Sequence, residues 1–212
     1  MSPTLQLLAP LPDEEVVARV LCGDTAVFEL LMRRHNQRLF RLARAVVRDG
    51  HEAEDIVQEA YVRAYAGLRR FEGRSSVATW LSRITLHEAL RRRRRRGRAR
   101  VADGIDPGSL TGPAAPGAAD GELGDVLTGA IDALPMVLRA VVMLRLVEGL
   151  GTRETAACLR LTETNVKVSL HRARQMLQGL VGDWSEADAR GRFAFDGERC
   201  DRIVAEVFRR LR

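Results

Sequence analysis

Three groups of polar and charged side chains are candidates for the surface of this chain. Residues 91–100, RRRRRRGRAR, carry eight arginines and no acid. Guanidinium groups at that density neutralise phosphates, so a polyanion is the partner they suit. Further along, Thr164, Asn165, Lys167, Val168, His171, Arg172 and Arg174 share one side of a helical pattern, opposite an apolar stripe of Val166, Leu170, Ala173 and Leu177. Polar and basic groups on the first turns of such a helix reach base edges and phosphates in a major groove. The third group, Asp55, Gln58, Glu59 and Arg63, is left outward by a helix whose apolar positions are Ile56, Ala60 and Ala64 with Val57, Tyr61 and Leu68 beside them. The sequence has no nucleophile with its base and orienter, no phosphate-cradling glycine loop and no metal-ligand spacing, so neither catalysis nor a cofactor or metal is expected.

The elements that position these groups are helices throughout, and the fold class expected is all-α. In a first block, 13–97, Asp13 after Pro12 is expected to cap a helix ended by Gly23. Asp24 is expected to cap a second helix with Phe28, Leu31, Leu39, Leu42 and Val46 inward, stopped by Gly50. A third helix runs from about Glu52 to Leu68. A fourth, capped by Ser75 or Ser76, runs into the arginine patch. The stretch Val101–Gly124 holds six Gly and three Pro and almost no large apolar side chain. It buries too little to offset its ordering entropy, so 98–124 reads as a flexible linker. At about 5–6 Å × √n such a tether spreads over roughly 25–30 Å, which predicts two loosely joined helical heads. The second block, 125–181, reads as four short helices: about Leu123–Leu134, Val137–Glu148, Thr152–Leu159 and Glu163–Leu180. The last two form a helix-turn-helix, with Ala156 small enough for the close crossing. The tail, 182–212, ends in an amphipathic helix with Ile203, Val204, Val207, Phe208 and Leu211 apolar; its role is left open between binding a regulator and, the expected case, packing on the second block.

Composition narrows the class. At 212 residues, 46% hydrophobic and 29% charged, the chain suits one or two globular domains. Residues 1–90 balance twelve basic against twelve acidic groups, so the net charge of +6 is concentrated in the arginine patch. No apolar run approaches the roughly 20 residues of a membrane span, so no membrane insertion is expected. The N-terminus lacks the pattern of a secretory signal. Cys22, Cys158 and Cys200 are odd in number and outside any CxxC spacing, so they are expected to be free, packed as small apolar residues, in a reducing cytoplasmic setting.

Taken in order, GDTAVFELLMRRHNQRLFRLA, HEAEDIVQEAYVRAY, GRSSVATWLSRITLHEALRRRRR and LPMVLRAVVMLRLVEGLGTRETAACLRLTETNVKVSLHRARQML resemble an extracytoplasmic-function sigma factor of bacterial RNA polymerase, over about 13–181. The resemblance implies that 13–97 is sigma region two, that 125–181 is sigma region four, and that Asp55, Gln58, Glu59 and Arg63 bind the clamp helices of the largest polymerase subunit. It implies that Phe71, Arg74, Ser75, Ser76, Trp80, Arg83 and His87 recognise and open the −10 promoter element, with Arg91, Arg92, Arg94 and Arg95 on phosphates. Trp80 matches a family aromatic that holds the opened strand. Val77 and Leu81 stand where housekeeping sigma factors carry further aromatics, implying weaker melting, and His87 stands where many relatives place Asn. For the −35 element it implies Thr164, Asn165, Lys167, Ser169 and Arg172 at or near the bases, and Arg153, His171 and Arg174 nearer the backbone. Val168 replaces a frequent polar residue, so a methyl contact is expected there. The partners implied are core RNA polymerase and promoter DNA. An anti-sigma factor, typical of the family, is left open. The competing reading is a stand-alone helix-turn-helix regulator, which would bind duplex DNA without polymerase.

Overall fold

The computed structural model describes residues 7–102, 122–182, 185 and 197–212, with 97–102 and 122–125 described by their backbone alone. Nine α-helices and no strand occur among the described residues. In the first block they are α1 (Asp13–Leu21), α2 (Phe28–Val47), α3 (Gly50–Gly67) and α4 (Val77–Ala102). In the second they are α5 (Glu122–Ala133), α6 (Met136–Val142), α7 (Thr152–Leu159) and α8 (Glu163–Val181), and the tail forms α9 (Gly197–Leu211).

Several helix ends differ from expectation for local reasons. Pro12, not Asp13, is the N-cap residue of α1. The Asp13 carboxylate instead accepts hydrogen bonds from Arg34 at 2.6 Å and sits 2.7 Å from His35 Nε2. Asp24 makes no cap bond; a single 3₁₀ turn, Thr25–Val27, leads into α2. That helix ends at Arg48, in the left-handed conformation at φ 63°, and Gly50 opens α3 rather than stopping α2. Asp49 caps α3 by accepting from the Glu52 amide at 2.7 Å. Gly23, at φ +103°, takes the backbone out of α1 in a conformation that disfavours any side chain. The Ser76 hydroxyl accepts from the Thr79 amide at 3.2 Å and so caps α4, which continues past the expected boundary to Ala102. The helix expected over Val137–Glu148 is α6 followed by a π-helical turn, Met143–Val147. Most of the expected linker, residues 103–121, lies outside the described residues.

Helices α2, α3 and α4 pack on one another around Phe28, Leu31, Leu39, Ile56, Tyr61 and Leu81, all essentially without solvent contact. Tyr61 and Tyr65 meet Phe28 edge-on, at 6.1 and 5.3 Å between ring centres. The second block closes on Leu127, Ile131, Val141, Val166, Ala173 and Leu177. The two blocks are not separate heads: α6 packs against α2, and α7 against α4. Leu144, Leu150 and Cys158 join the first core, and Ala45 joins the second. Polar groups line this seam. Arg41 donates to Glu148 at 2.8 Å and Arg38 at 3.3 Å. Arg139, 2% exposed, donates to the carbonyls of Ala45, Asp132 and Leu134, and burial pulls its pKa down to about 10. Among the described residues the two expected helical blocks thus pack against each other. The polar face of α2, with Arg38, Arg41 and Arg44, meets carboxylates of the second block instead of water.

The tail departs from expectation in its place. Helix α9 packs on α3 and α2 of the first block, not on the second. All three cysteines are free, but only Cys158 is buried, which pushes its thiol up to about 11; Cys22 is exposed, contrary to its expected packing.

Candidate nucleic-acid and protein interfaces

Helix α3 presents its outward residues because Ala53, Ile56, Val57, Ala60, Tyr61 and Ala64 fill its inner face. Asp55 has 61% of its side chain exposed and pairs with Arg92 at 3.2 Å. Gln58 is half-buried. Glu59 is 28% exposed and accepts from Arg63 at 2.8 Å and from Arg210 of α9 at 2.5 Å. Burial works against its charge, but the bonds from Arg210 and Arg63 prevail and hold the carboxyl below its ordinary value. Arg63 also reaches Glu88 of α4 at 3.3 Å. Glu88 was not anticipated: it is 3% exposed, beneath Arg91 at 2.6 Å, and ties α3 to the start of the arginine run. Its single-letter context, LHEALRR, resembles any helical acid, and only packing singles it out.

The loop before α4 and its first turns hold the residues expected to handle an opened strand. Phe71 and Trp80 are both half-buried, their ring centres 5.2 Å apart at 50°. Each ring rests on the first core and keeps part of its surface accessible, so Trp80 is at once packed and available for stacking. Arg74 is exposed beside Glu72, Ser75 is half-buried, and Ser76 is engaged as the helix cap. Arg83 and His87 are exposed. Along the patch, Arg91, Arg92 and Arg96 pair with Glu88, Asp55 and Glu52, whereas Arg94 and Arg95 are exposed. Carboxylates of α3 and α4 therefore already engage part of the positive charge the sequence concentrates there.

Helices α7 and α8 form the expected helix-turn-helix. Arg160 ends α7 in the left-handed region at φ 55°, and the Thr162 hydroxyl caps α8 by accepting from the Asn165 amide at 3.1 Å. The buried residues of α8 are Val166, Leu170, Ala173 and Leu177. Opposite them, Thr164, Asn165, Lys167, Val168, His171, Arg172 and Arg174 are exposed, as is Arg153 on α7, while Ser169 is half-buried. The groups on α8 project from one helix surface and include the hydrogen-bond donors and acceptors that such a helix can offer to base edges and phosphates. Among the described residues no cluster of His, Cys, Asp and Glu could hold a metal ion, and no helix is long and apolar enough to cross a membrane.

An all-α pair of blocks, one bearing an outward acidic face and an aromatic-lined loop, the other a helix-turn-helix, fits the class of DNA-reading transcription factors. Residues 31–99 match the family model of Sigma-70 region 2, and residues 125–177 that of Sigma-70 region 4. The chain is 34% identical over 170 residues to the ECF RNA polymerase sigma factor SigM of Mycobacterium tuberculosis, spanning 80% of this chain and 85% of that protein. It is 32% identical to SigX of Bacillus subtilis, covering 71% and 81%, and 30% identical to the sigma-E factor of Escherichia coli K12, covering 81% and 95%. Among solved structures it resembles the sigma factor RpoE in complex with the anti-sigma factor NepR from Bartonella quintana, at TM-score 0.59 and 28% identity, covering 74% of this chain and 96% of that one. It also resembles CnrH in complex with the cytosolic domain of CnrY, at TM-score 0.58 and 25% identity, covering 79% and 96%. The chain belongs to the ECF sigma factors of RNA polymerase, which direct promoter-specific initiation of transcription. The stand-alone regulator is not favoured by these relatives.

Proposed function

We propose a division of labour along the chain. The α3 face, Asp55, Gln58, Glu59 and Arg63, docks on the clamp helices of core RNA polymerase. The loop and outer face around Phe71, Arg74, Ser75, Ser76, Trp80, Arg83 and His87 read and hold the opened −10 element, with Arg91, Arg92, Arg94 and Arg95 on its phosphates. Helix α8 reads the −35 element through Thr164, Asn165, Lys167, Ser169 and Arg172, and Arg153, His171 and Arg174 bind the backbone beside it. The observation that carries this reading is the outer surface of α8, polar and exposed over its first three turns while its inner stripe is buried.

The protein acts in the cytoplasm, where the polymerase is, and has no catalysis of its own. An anti-sigma factor is a further partner, a reading supported by the two solved relatives, each in complex with a second protein. Run-off transcription with purified core enzyme tests the proposal. A promoter-specific transcript that depends on this chain is expected. No transcript and no binding to core would overturn it.

A further inference from the structure

Helix α9 lies against the surface assigned above to polymerase docking. Its apolar residues Ile203, Val204 and Val207 are buried, and Phe208 and Leu211 pack on the same core. Charged groups rim the contact. Arg210 bonds Glu59 at 2.5 Å, Arg202 bonds Glu54 at 3.3 Å, and Asp201 bonds Arg33 at 2.8 Å. Asn36, fully buried on α2, donates to the Cys200 thiol at 3.1 Å. On one side of α9 a cleft of about 360 Å³ has Glu206, Arg209 and Arg210 facing Asp55, Gln58 and Glu59.

The chemistry is that of a competitor. A surface of carboxylates and an amide, built to take basic groups from a partner, receives them from its own chain. Glu59 already accepts one guanidinium bond on each carboxylate oxygen, from Arg63 and from Arg210, so a partner's cation must share it with groups of this chain. The apolar stripe of α9 covers the same flank of α3, so a large partner helix and α9 cannot both approach Glu59 closely. Asp55, paired with Arg92 but with 61% of its side chain exposed, lies at the edge where an incoming partner first reaches this face.

We propose that α9 is an intramolecular occupant of the polymerase-docking face, competing with core RNA polymerase until it is displaced. The inference rests on the assignment of Asp55, Gln58 and Glu59 to docking. Competition of this kind raises the apparent Kd by the inverse of the fraction of molecules with α9 released.

Full-length protein carrying Arg202→Glu with Arg210→Glu, and separately Val207→Asp, is titrated against core polymerase by fluorescence anisotropy. Amide hydrogen exchange in α9 reports its release. Both variants should expose the α9 amides and bind core about tenfold more tightly than the parent, if α9 is docked in about nine-tenths of free molecules. Freed α9 amides with no gain in affinity would overturn the proposal. A gain from the charge reversal alone, without one from Val207→Asp, would reduce the effect to local electrostatics and overturn it as well. Asp55→Ala with Gln58→Ala in the same titration separates the two readings. If that pair weakens core binding while the α9 variants change nothing, the docking face stands and the competition fails. If it has no effect, the docking face itself is misassigned.

Discussion

Arg44 and Asp132 face each other across the seam between the two blocks, with Nη2 3.0 Å from Oδ2 and Nη1 3.2 Å from Oδ1. Both side chains are mostly buried, at 15% and 11% exposure. A two-pronged, partly desolvated pair of this kind couples its partners more strongly than a surface pair does. Asp132→Ala should destabilise the protein by about 1–3 kcal/mol, because it leaves the Arg44 guanidinium buried against carbon. A double-mutant cycle with Arg44→Ala in urea should give a coupling of about 1–2 kcal/mol. A cycle that sums to zero would mean that the pair does not hold the blocks together.

The two proposed binding surfaces lie on different helices, so their substitutions should separate. Asp55→Ala with Gln58→Ala should weaken core binding by about tenfold or more and leave the far-UV helical signal unchanged. Lys167→Ala with Arg172→Ala should leave core binding intact and cost about 1–3 kcal/mol per residue at the −35 element. Binding assays with core alone and with a −35 duplex distinguish them. Equal effects on one step would contradict the division.

Arg94 and Arg95 are exposed, and their neighbours Arg91, Arg92 and Arg96 are ion-paired to carboxylates. If both neutralise phosphates, Arg94→Ala with Arg95→Ala should reduce the slope of log K against log salt by about 2, at about 0.9 per contact. Promoter binding by the polymerase complex between low and moderate salt measures it. An unchanged slope would place the DNA elsewhere.

Trp80 is half-buried against Phe71, so its removal has two consequences. Trp80→Ala should slow strand opening, followed by 2-aminopurine fluorescence in the −10 region, and also cost about 3–5 kcal/mol or less of stability, given its partial exposure. Trp80→Phe keeps an aromatic face and should retain most of both. Full opening by Trp80→Ala would remove the stacking role.

Asp13 links α1 to α2, and the hydrogen bond with His35, followed by that from Arg34, holds its carboxyl below the ordinary value of 3.8 against a contrary effect of burial. A folded-state pKa below the unfolded one means that the unfolded chain binds the proton more tightly. The stabilisation is therefore complete above the unfolded value and is lost as pH falls through the folded one. Asp13→Asn should be less stable than the parent at neutral pH, and the gap should narrow below about pH 4. Urea midpoints measured from pH 7 to pH 3 check it; a constant gap would assign the loss to packing alone.

The local chemistry of the helices was legible in the linear chain. The inner stripe of α8 matches the apolar spacing residue for residue, and that of α3 does so apart from Ala53, added to it, and Leu68, which is buried in the turn beyond the helix, because burial of one helix face depends on the 3.6-residue period. The outward residues of both helices follow from the same period, as the complement of those stripes. Ser76 caps α4, one of the two serines expected to do so, where its side chain reaches the following turn. Asp13, Asp24 and Gly50 misled, because a local cap signal competes with tertiary partners and with left-handed backbone at a non-glycine residue, here Arg48.

Tertiary structure alone decided what those outward faces meet. The pattern of α9 identifies an apolar stripe but carries no address, since Ile203, Val204 and Val207 fit any apolar groove. The geometry of the first block brings Arg210 to Glu59 across 151 positions of sequence. The arginines of α2 read the same whether they face water or carboxylates, and only the fold sets Arg38 and Arg41 against Glu148 and Arg44 against Asp132. Helical periodicity is a short-range property written in each segment, whereas ion pairing and apolar docking between distant segments depend on which surfaces the packed chain brings within a few ångströms.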